Sequence, residues 1–290
     1  MQPIGIIGLG LLGSAISDRL VAAGYQVIGF DLKPERNNLL VQSGGTVASD
    51  PRAVFSRCNR VFLSLFHSQQ VRTLLAAELE GIQSDSIILD TTTGSPDDAV
   101  AVSQVVADKG AFYLDTTIAG SSEQIRSREA IAMIGGDARA IANCQDLLDG
   151  LFPRYFCLGP SGSAARMKLI VNLVLGLNRA VLAEGLTLAK RSGVDPRAAL
   201  EVLMASPAHS GVMSTKGNKM IESDFSLQAR LSQHHKDVKL ILELAQDADA
   251  YVPLLQLHDR LLDRAMSMGL ADMDNSAVVR VFESQSFGQD

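Results

Sequence analysis

The chain has 290 residues, of which 47% are hydrophobic and 20% charged, and its formal net charge is −6. That length predicts two domains, and the composition excludes an intrinsically disordered chain. Because the net charge is negative and the Lys and Arg residues are spread along the chain, no nucleic-acid partner is expected.

The cysteines and the apolar stretches indicate where the protein resides. Cys58, Cys144 and Cys157 lie far apart and form no metal-ligand pair, which predicts reduced thiols in a cytoplasmic protein. The histidines do not have the sequence spacing of metal ligands either, so no metal site is expected. The glycine-punctuated opening favours a strand over a signal peptide. The later apolar stretch, residues 169–177, is too short to span a bilayer, so no membrane partner is expected.

Up to about residue 160, short β-branched runs alternate with helical patterns. The predicted strands cover residues 4–7, 26–30, 60–65, 86–90, 111–115 and 130–134, and helices at 11–23, 69–79 and 96–109 separate several of them. This alternation predicts crossover units and a doubly wound, mostly parallel sheet covered on both faces. An α/β domain is therefore expected over residues 1–160.

The pattern changes after Gly159, where the strand signals end. Apolar residues recur at helical spacing from residue 163 to about 192, and Gly193 is expected to end this helix. Further helices are predicted at 196–204, 234–248 and 253–268. Residues 161–290 are therefore expected to form an all-α domain that is entered through one long helix.

The first predicted strand leads directly into Gly8-Leu9-Gly10-Leu11-Leu12-Gly13, which opens a helix. Gly8 permits a tight turn, Gly10 lets the backbone approach a pyrophosphate, and Gly13 lets helix and strand pack closely. The N–H groups at the start of the helix, near Leu11 and Leu12, then point at the phosphates. This context predicts a Rossmann dinucleotide site.

Asp31 closes the second predicted strand, 23 residues after Gly8. A carboxylate at that position accepts hydrogen bonds from ribose hydroxyls and repels a 2′-phosphate, which favours NAD over NADP. Lys33 and Arg36 lie nearby and partly relieve the repulsion, so NADP stays possible.

The opening sequence resembles the signature of β-hydroxyacid dehydrogenases such as 3-hydroxyisobutyrate dehydrogenase and tartronate semialdehyde reductase. Five later segments, at matching spacing, extend the resemblance over essentially the whole chain. Three of these segments are Leu65-Phe66-His67-Ser68, the loop 90–96 with Thr93, and the strip 115–121. The fourth is the stretch 159–172 with Lys168 and Asn172, and the pair Lys236-Asp237 follows late in the helical half.

The resemblance implies roles for the matched residues. Leu65, Phe66, Thr93 and Lys236 are expected to contact the cofactor. Ala119, Gly120 and Ser121 are expected to bind the substrate, and Lys168 with Asn172 to carry out catalysis. Asp237 is expected to orient helices rather than to react, and the histidines to be core, cap or surface residues.

The chemistry of Lys168 and Asn172 is also predicted from their spacing. Residues four apart on a helix project from one face. A lysine there can exchange a proton with a substrate oxygen while the carboxamide orients that oxygen. The helix N-terminus and burial both disfavour the ammonium, so a pKa below the usual value of about 10.4 is expected. The expected active site lies in a cleft between the domains.

The substrate strip departs from the family pattern. Ala119 replaces a serine whose hydroxyl usually helps hold the substrate carboxylate, and Ser121 replaces a glycine. Loss of that donor costs roughly 1.5–3 kcal/mol, which Ser121, Ser122 or Arg126 is hypothesised to offset. Other departures are Phe66 for proline, Arg128 for glycine and Ala130 for leucine.

The predicted activity is hydride transfer between NAD(H) and a small 3-hydroxy acid, or the corresponding semialdehyde or keto acid. One alternative is an imine reductase-like enzyme, which the altered strip keeps open although Lys168 argues against it. A second is a dinucleotide-binding protein without turnover. A 6-phosphogluconate dehydrogenase is related in design, but the helical half is too short and lacks a phosphate-binding cluster. The apolar helical half, and the family resemblance, predict a homodimer or homotetramer.

Overall fold

The computed structural model describes residues 2–284, which divide into two compact units, one ending at Lys168 and the other beginning at Leu169. The division predicted near residue 160 falls just before the long helix, whereas this division falls inside it. The predicted domain bounds stay a prediction.

The first unit contains a single eight-stranded sheet in the order β3-β2-β1-β4-β5-β6-β7-β8. The strands are β1 (Ile4–Ile7), β2 (Val27–Phe30), β3 (Thr46–Val47), β4 (Arg60–Leu63), β5 (Ile87–Asp90), β6 (Phe112–Ala119), β7 (Ile131–Gly135) and β8 (Tyr155–Gly159). All neighbouring pairs are parallel except β6 with β7. The strand order reverses between β1 and β4, which is where such sheets bind ligands.

Eight α-helices lie between these strands along the described part of the chain. They are α1 (Leu11–Ala22), α2 (Pro34–Gln42), α3 (Pro51–Arg57), α4 (Ser68–Glu78), α5 (Pro96–Ala107), α6 (Ser122–Arg126), α7 (Ala138–Ala142) and α8 (Gln145–Leu151). Alternate strand residues enter separate hydrophobic clusters, as Ile6 does on one face and Ile7 on the other. Because both faces are buried, the strands have continuous apolar sequences.

The remaining helices are α9 (Ser163–Arg191), α10 (Pro196–Ala205), α11 (Gly211–Glu222), α12 (Leu231–Asp247), α13 (Pro253–Ser267) and α14 (Val279–Glu283). Within the second unit they enclose a separate hydrophobic core that includes Leu169, Leu182, Val238 and Leu262. The predicted fold class is confirmed: a Rossmann domain is followed by an all-α domain, and the long helix α9 leads into the all-α domain.

Several details differ from the sequence-based expectation for physical reasons. β3 was not predicted because two residues give no periodicity, and the short helices of five to seven residues give little. β8 was not predicted either, and it differs from the predicted strands in being largely exposed. β6 was predicted to end at Asp115 but continues to Ala119, because residues 115–119 pair antiparallel with β7. The polar residues Thr116 and Thr117 are buried within that strand.

Helix α9 is also long and apolar enough, by length and composition, to cross a bilayer. Its most apolar 18-residue window has a mean hydropathy of 1.5 and is 44% buried. Packed core helices of globular domains share this composition, and α9 carries Arg179, which is buried. The expected absence of a membrane partner stays a prediction.

Candidate active site

The predicted residues of the first unit gather at the carboxyl ends of β1, β2, β4, β5 and β6. At the end of β1, Gly8 has a φ of +93°, and a Cβ there would lie 2.3 Å from the Ser64 carbonyl oxygen. A Cβ on Gly13 would lie 1.9 Å from the Gly8 carbonyl oxygen. Both positions therefore require glycine.

Gly10 has a different environment, which suits a bound phosphate. A Cβ added at Gly10 would have Arg36 Nη1 as its nearest neighbour, 3.9 Å away. Gly10 precedes α1, and no side chain of the described residues caps that helix. The open side of Gly10 and the uncapped N–H groups near Leu11 and Leu12 fit a dinucleotide pyrophosphate.

Asp31 is 7% exposed and is tied to the glycine loop. Its Oδ2 accepts the Leu9 N–H at 2.7 Å and Arg36 Nη1–H at 3.0 Å, and its Oδ1 accepts the Lys33 N–H at 2.9 Å. Asp31 thus holds β2 to the loop, in addition to its predicted contact with ribose. The Arg36 guanidinium is thereby held beside the carboxylate that is predicted to contact the ribose.

The predicted cofactor loops follow β4 and β5. The Leu65 N–H donates to Thr92 Oγ1 at 3.1 Å, which joins the two loops. Phe66 is 49% exposed and contacts the His67 ring edge-on. Thr93 is half-buried in the loop after β5. His67 precedes α4 and its Nδ1 accepts the Gln70 N–H, so it is a helix cap.

The substrate strip lies where β6 ends. Ala119 is half-buried, and Gly120 has a φ of +152°. A Cβ on Gly120 would lie 2.6 Å from the Ala130 Cβ. The close approach of these two residues therefore requires glycine at position 120 and favours a small side chain at position 130. Arg128, where the family often has glycine, adopts a left-handed conformation with a φ of +59°.

The hypothesised substitutes for the missing hydroxyl have contacts of their own. Ser121 caps α6, and its Oγ accepts the Gln124 N–H at 3.2 Å. Arg126 pairs with Asp18 at 2.9 Å. Their role toward a substrate stays a hypothesis.

Lys168 and Asn172 lie one turn apart on α9, as predicted. Lys168 is half-buried, and Asn172 is 6% exposed. In the second unit, Asn172 Nδ2 donates to Asp237 Oδ2 at 2.9 Å, and Lys236 Nζ lies 3.2 Å from Asp237 Oδ1. Asp237 therefore fixes the carboxamide of Asn172, which agrees with an orienting role.

The histidines of the second unit differ in their surroundings. His234 and His258 are buried with their Nε2 atoms 2.9 Å apart, and burial lowers the pKa of His258 to about 4. Gly176 makes room for this pair, because a Cβ there would lie 2.5 Å from His234 Nε2. These are core histidines, one of the predicted possibilities.

His235, Asp259 and Asp263 form a cluster that their spacing in the sequence did not suggest. Their potential metal-ligand atoms lie within 4.8 Å of one another. Lys239 Nζ lies 2.7 Å from Asp259 and 3.6 Å from Asp263. The ammonium supplies the positive charge that a cation would supply, and the expected absence of a metal site stays a prediction.

Sequence reasoning also missed a buried ionic network in the second unit. Lys216 Nζ lies 2.9 Å from both oxygens of Asp274, which is fully buried. Arg179 is 4% exposed, and burial lowers its pKa to about 10. Helical periodicity gave no signal for these residues, because charged positions are normally assigned to the surface.

Comparison with known proteins identifies the family. Residues 3–159 match the family described as the NAD-binding domain of 6-phosphogluconate dehydrogenase. Residues 162–282 match the family described as NAD-binding of NADP-dependent 3-hydroxyisobutyrate dehydrogenase. The chain belongs to the β-hydroxyacid dehydrogenase family.

Its relatives include proteins that are named as oxidoreductases. It is 28% identical over 284 residues to the chloroplastic glyoxylate/succinic semialdehyde reductase 2 of Arabidopsis thaliana, covering 97% of this chain and 79% of that protein. It is 27% identical to the L-threonate dehydrogenase of Cupriavidus necator, covering 96% and 95%.

Solved structures share the fold. A 3-hydroxyisobutyrate dehydrogenase from Salmonella typhimurium superimposes with a TM-score of 0.91 at 22% identity, covering 97% of this chain and all of that chain. An imine reductase from a Pseudomonas species gives a TM-score of 0.68 at 22% identity, covering 97% and 99%. The two family matches confirm the predicted family and an NAD(P) cofactor, whereas the roles of the individual site residues stay predictions.

Proposed function

We propose that this β-hydroxyacid dehydrogenase oxidises a small 3-hydroxy acid to the corresponding semialdehyde or keto acid, or catalyses the reverse reduction. The observation that carries the proposal is the pair on α9, Lys168 and Asn172, with the Asn172 amide held by Asp237 at 2.9 Å. The names of the relatives, a semialdehyde reductase and a threonate dehydrogenase, support a small hydroxy acid or its semialdehyde as the substrate.

Bound NAD(P) supplies the hydride acceptor or donor. The chain supplies the proton transfer and the orientation. During oxidation Lys168, in its neutral form, takes the proton of the substrate hydroxyl, and during reduction the ammonium returns it. Asn172 orients the reacting oxygen, because its hydrogen bond to Asp237 fixes the orientation of the side-chain amide. The strip at the end of β6 holds the carboxylate.

The test is formation of reduced nucleotide from a panel of small 2-hydroxy and 3-hydroxy acids, with NAD and NADP in parallel. We expect turnover on at least one 3-hydroxy acid and much less on its 2-hydroxy isomer. Tight nucleotide binding with no turnover on any acid or on any semialdehyde would instead favour a dinucleotide-binding protein without catalysis.

One observation favours a second candidate, an imine reductase-like activity. Ala119 offers no hydroxyl to a carboxylate, and no substrate carboxylate is needed for an imine. NADPH-dependent reduction of a cyclic imine, without turnover of hydroxy acids, would select this candidate over the first.

The Ala119 position gives a direct prediction. Ala119→Ser restores a hydroxyl donor, and we expect the KM for a 3-hydroxy acid to fall about tenfold or more, since a hydrogen bond to a charged group contributes about 1.5–3 kcal/mol. Ala119→Cys is the matched control, because it has similar size and only a weak donor. An equal KM in Ala119→Ser and the wild type would show that this position does not face the carboxylate.

We propose that NAD(H) is the preferred nucleotide and that Arg36 permits some use of NADP(H). The support is the Arg36–Asp31 ion pair at 3.0 Å, with Arg36 37% exposed. Arg36→Ala is expected to weaken NADP binding at least about tenfold and NAD binding much less, because a charge-assisted contact to a phosphate is lost. Titrations with both nucleotides measure this difference. Arg52→Ala, a surface variant, serves as the control, and equal losses for NAD and NADP would contradict the assignment.

We also propose that the chain forms a homodimer or homotetramer through α9. Ile170, Val174, Val181 and Leu188 form one stripe along that helix and are 49–67% exposed. An exposed apolar stripe of this length favours burial of these side chains against another protein surface. The family resemblance suggests that this surface belongs to a second copy of the chain.

A further inference from the structure

We propose, resting on the proposed role of Lys168, that Asp115 is a positioning residue for that lysine. In this view Asp115 fixes the start of helix α9 against strand β6. It thereby sets both the place of Lys168 relative to the substrate strip and the ease with which the amine holds a proton.

The first support is the hydrogen bonding of the Asp115 carboxylate. Its Oδ1 accepts the Gly162 N–H at 3.0 Å, and its Oδ2 accepts the N–H groups of Ala164 and Ala165, each at 2.9 Å. The side chain is 2% exposed. Because both oxygens act as acceptors of N–H groups, the contacts fit the ionised form. Burial raises the pKa of Asp115, and the amide donors act in the opposite direction.

The second support is that α9 has no capping side chain at the residue before it. That residue is Gly162, whose φ is +91° and where a Cβ would lie 2.9 Å from Val100 Cγ2. A side chain is thus excluded at the usual capping position. Asp115, which lies 47 residues earlier in the chain, supplies the cap instead.

The third support is the glycine at position 135, which makes room for the carboxylate. A Cβ on Gly135 would lie 2.6 Å from Asp115 Oδ1 and 2.8 Å from the Pro160 carbonyl oxygen. Strand β7, the loop before α9 and the carboxylate are therefore closely packed around the same hydrogen bonds.

Strand β6 connects this cap to the substrate strip. Asp115, Thr117 and Ala119 alternate along β6 and so project to one side of the sheet. Thr117 Oγ1 donates to the Ala164 carbonyl oxygen at 3.1 Å. The strand that presents the strip is therefore bonded at two positions to the first turn of the helix that presents Lys168.

The charge of Asp115 also acts on Lys168. From Ala165 to Lys168 the helix rises about 4.5 Å, so the carboxylate, which accepts the Ala165 N–H, lies within one helical turn of the Lys168 backbone. It offsets the positive end of the helix, which by itself would lower the pKa of a lysine. Other ionisable groups nearby are Asp90, whose carboxylate accepts the Tyr113 hydroxyl at 2.6 Å, and Arg166, which pairs with Asp97 at 3.7 Å.

The test separates charge, position and stability with three variants. Asp115→Asn removes the charge, and Thr117→Val removes the neutral bond to α9. Asp137→Asn is the matched control, because Asp137 caps α7 in the same unit through the N–H groups of Arg139 and Ala140. The rate at which acetic anhydride acetylates Lys168, measured by peptide mass spectrometry across pH, gives the pKa of the amine without substrate. The turnover number is measured on the same samples.

We expect Asp115→Asn to lower the pKa of Lys168 by about 0.5–1 unit. Its turnover number should fall about tenfold or more, because the lysine is displaced. Thr117→Val should lower the turnover number and leave the pKa unchanged, and Asp137→Asn should alter neither.

An unchanged Lys168 pKa in a folded Asp115→Asn variant would overturn the electrostatic part of the proposal. If Asp115→Asn does not fold, an unchanged turnover number in Thr117→Val would overturn the positional part. Because acetylation requires no turnover, a failure of the proposed function, with no activity in the wild type, is distinguished from a failure of this inference.

Discussion

Lys168→Ala is expected to lower the turnover number by about 10²- to 10⁴-fold, the usual contribution of a positioned general acid or base. The affinity for NAD(P) should change little, because Lys168 is not among the residues that are predicted to contact the dinucleotide. Steady-state kinetics and a nucleotide titration of the same preparation give the two numbers.

The matched control for this variant is Lys190→Ala. Lys190 lies in the last turn of the same helix and is 65% exposed, in an ion pair with Glu283. It should retain wild-type turnover. A Lys168→Ala variant that keeps more than about one tenth of the activity would assign the proton transfer to another group, since general acid–base catalysis contributes at least about 10²-fold.

Gly13→Ala is expected to weaken NAD(P) binding at least about tenfold and to lower the free energy of unfolding by about 1–3 kcal/mol. The added Cβ would lie 1.9 Å from the Gly8 carbonyl oxygen. Since that atom belongs to the backbone, α1 must move away from β1, and the N–H groups at its start move with it. Nucleotide titration and denaturant unfolding measure the two effects.

Gly150→Ala is the control for Gly13→Ala. Gly150 lies in α8 of the same unit, and a Cβ there would have no neighbour within 4 Å. This variant should bind nucleotide as the wild type does. Wild-type nucleotide affinity in Gly13→Ala would mean that the loop does not hold the pyrophosphate.

The α/β domain could be predicted from sequence because its strands are buried on both faces and so give continuous apolar runs. Strand β1 was located to the residue, since Gly8 ends its apolar run and is required by the close approach of Ser64. The long helix was located equally well, because its apolar positions repeat through eight turns.

The contacts that orient the site could not be predicted in the same way. Asp115 was assigned to a substrate strip by resemblance, and its hydrogen bonds to Gly162, Ala164 and Ala165 join parts of the chain that are far apart in sequence. No local pattern encodes such a contact. The same holds for the Asn172–Asp237 bond, although both residues were singled out individually.

Charged residues in the helical core were missed for a related reason. Lys216 and Asp274 are paired inside the second unit, whereas sequence periodicity assigns charge to solvent-exposed faces. Only the three-dimensional packing shows that each charge has its partner.

The most direct test of the central claim uses a 3-hydroxy acid that carries deuterium on the carbon bearing the hydroxyl. The wild type is incubated with this acid and NAD or NADP, and the reduced nucleotide is examined by NMR. We predict deuterium in the nicotinamide ring, because the reaction transfers that hydrogen as a hydride. Reduced nucleotide without deuterium, or reduction only of an imine in the parallel assay, would contradict the assignment of a 3-hydroxy acid as substrate.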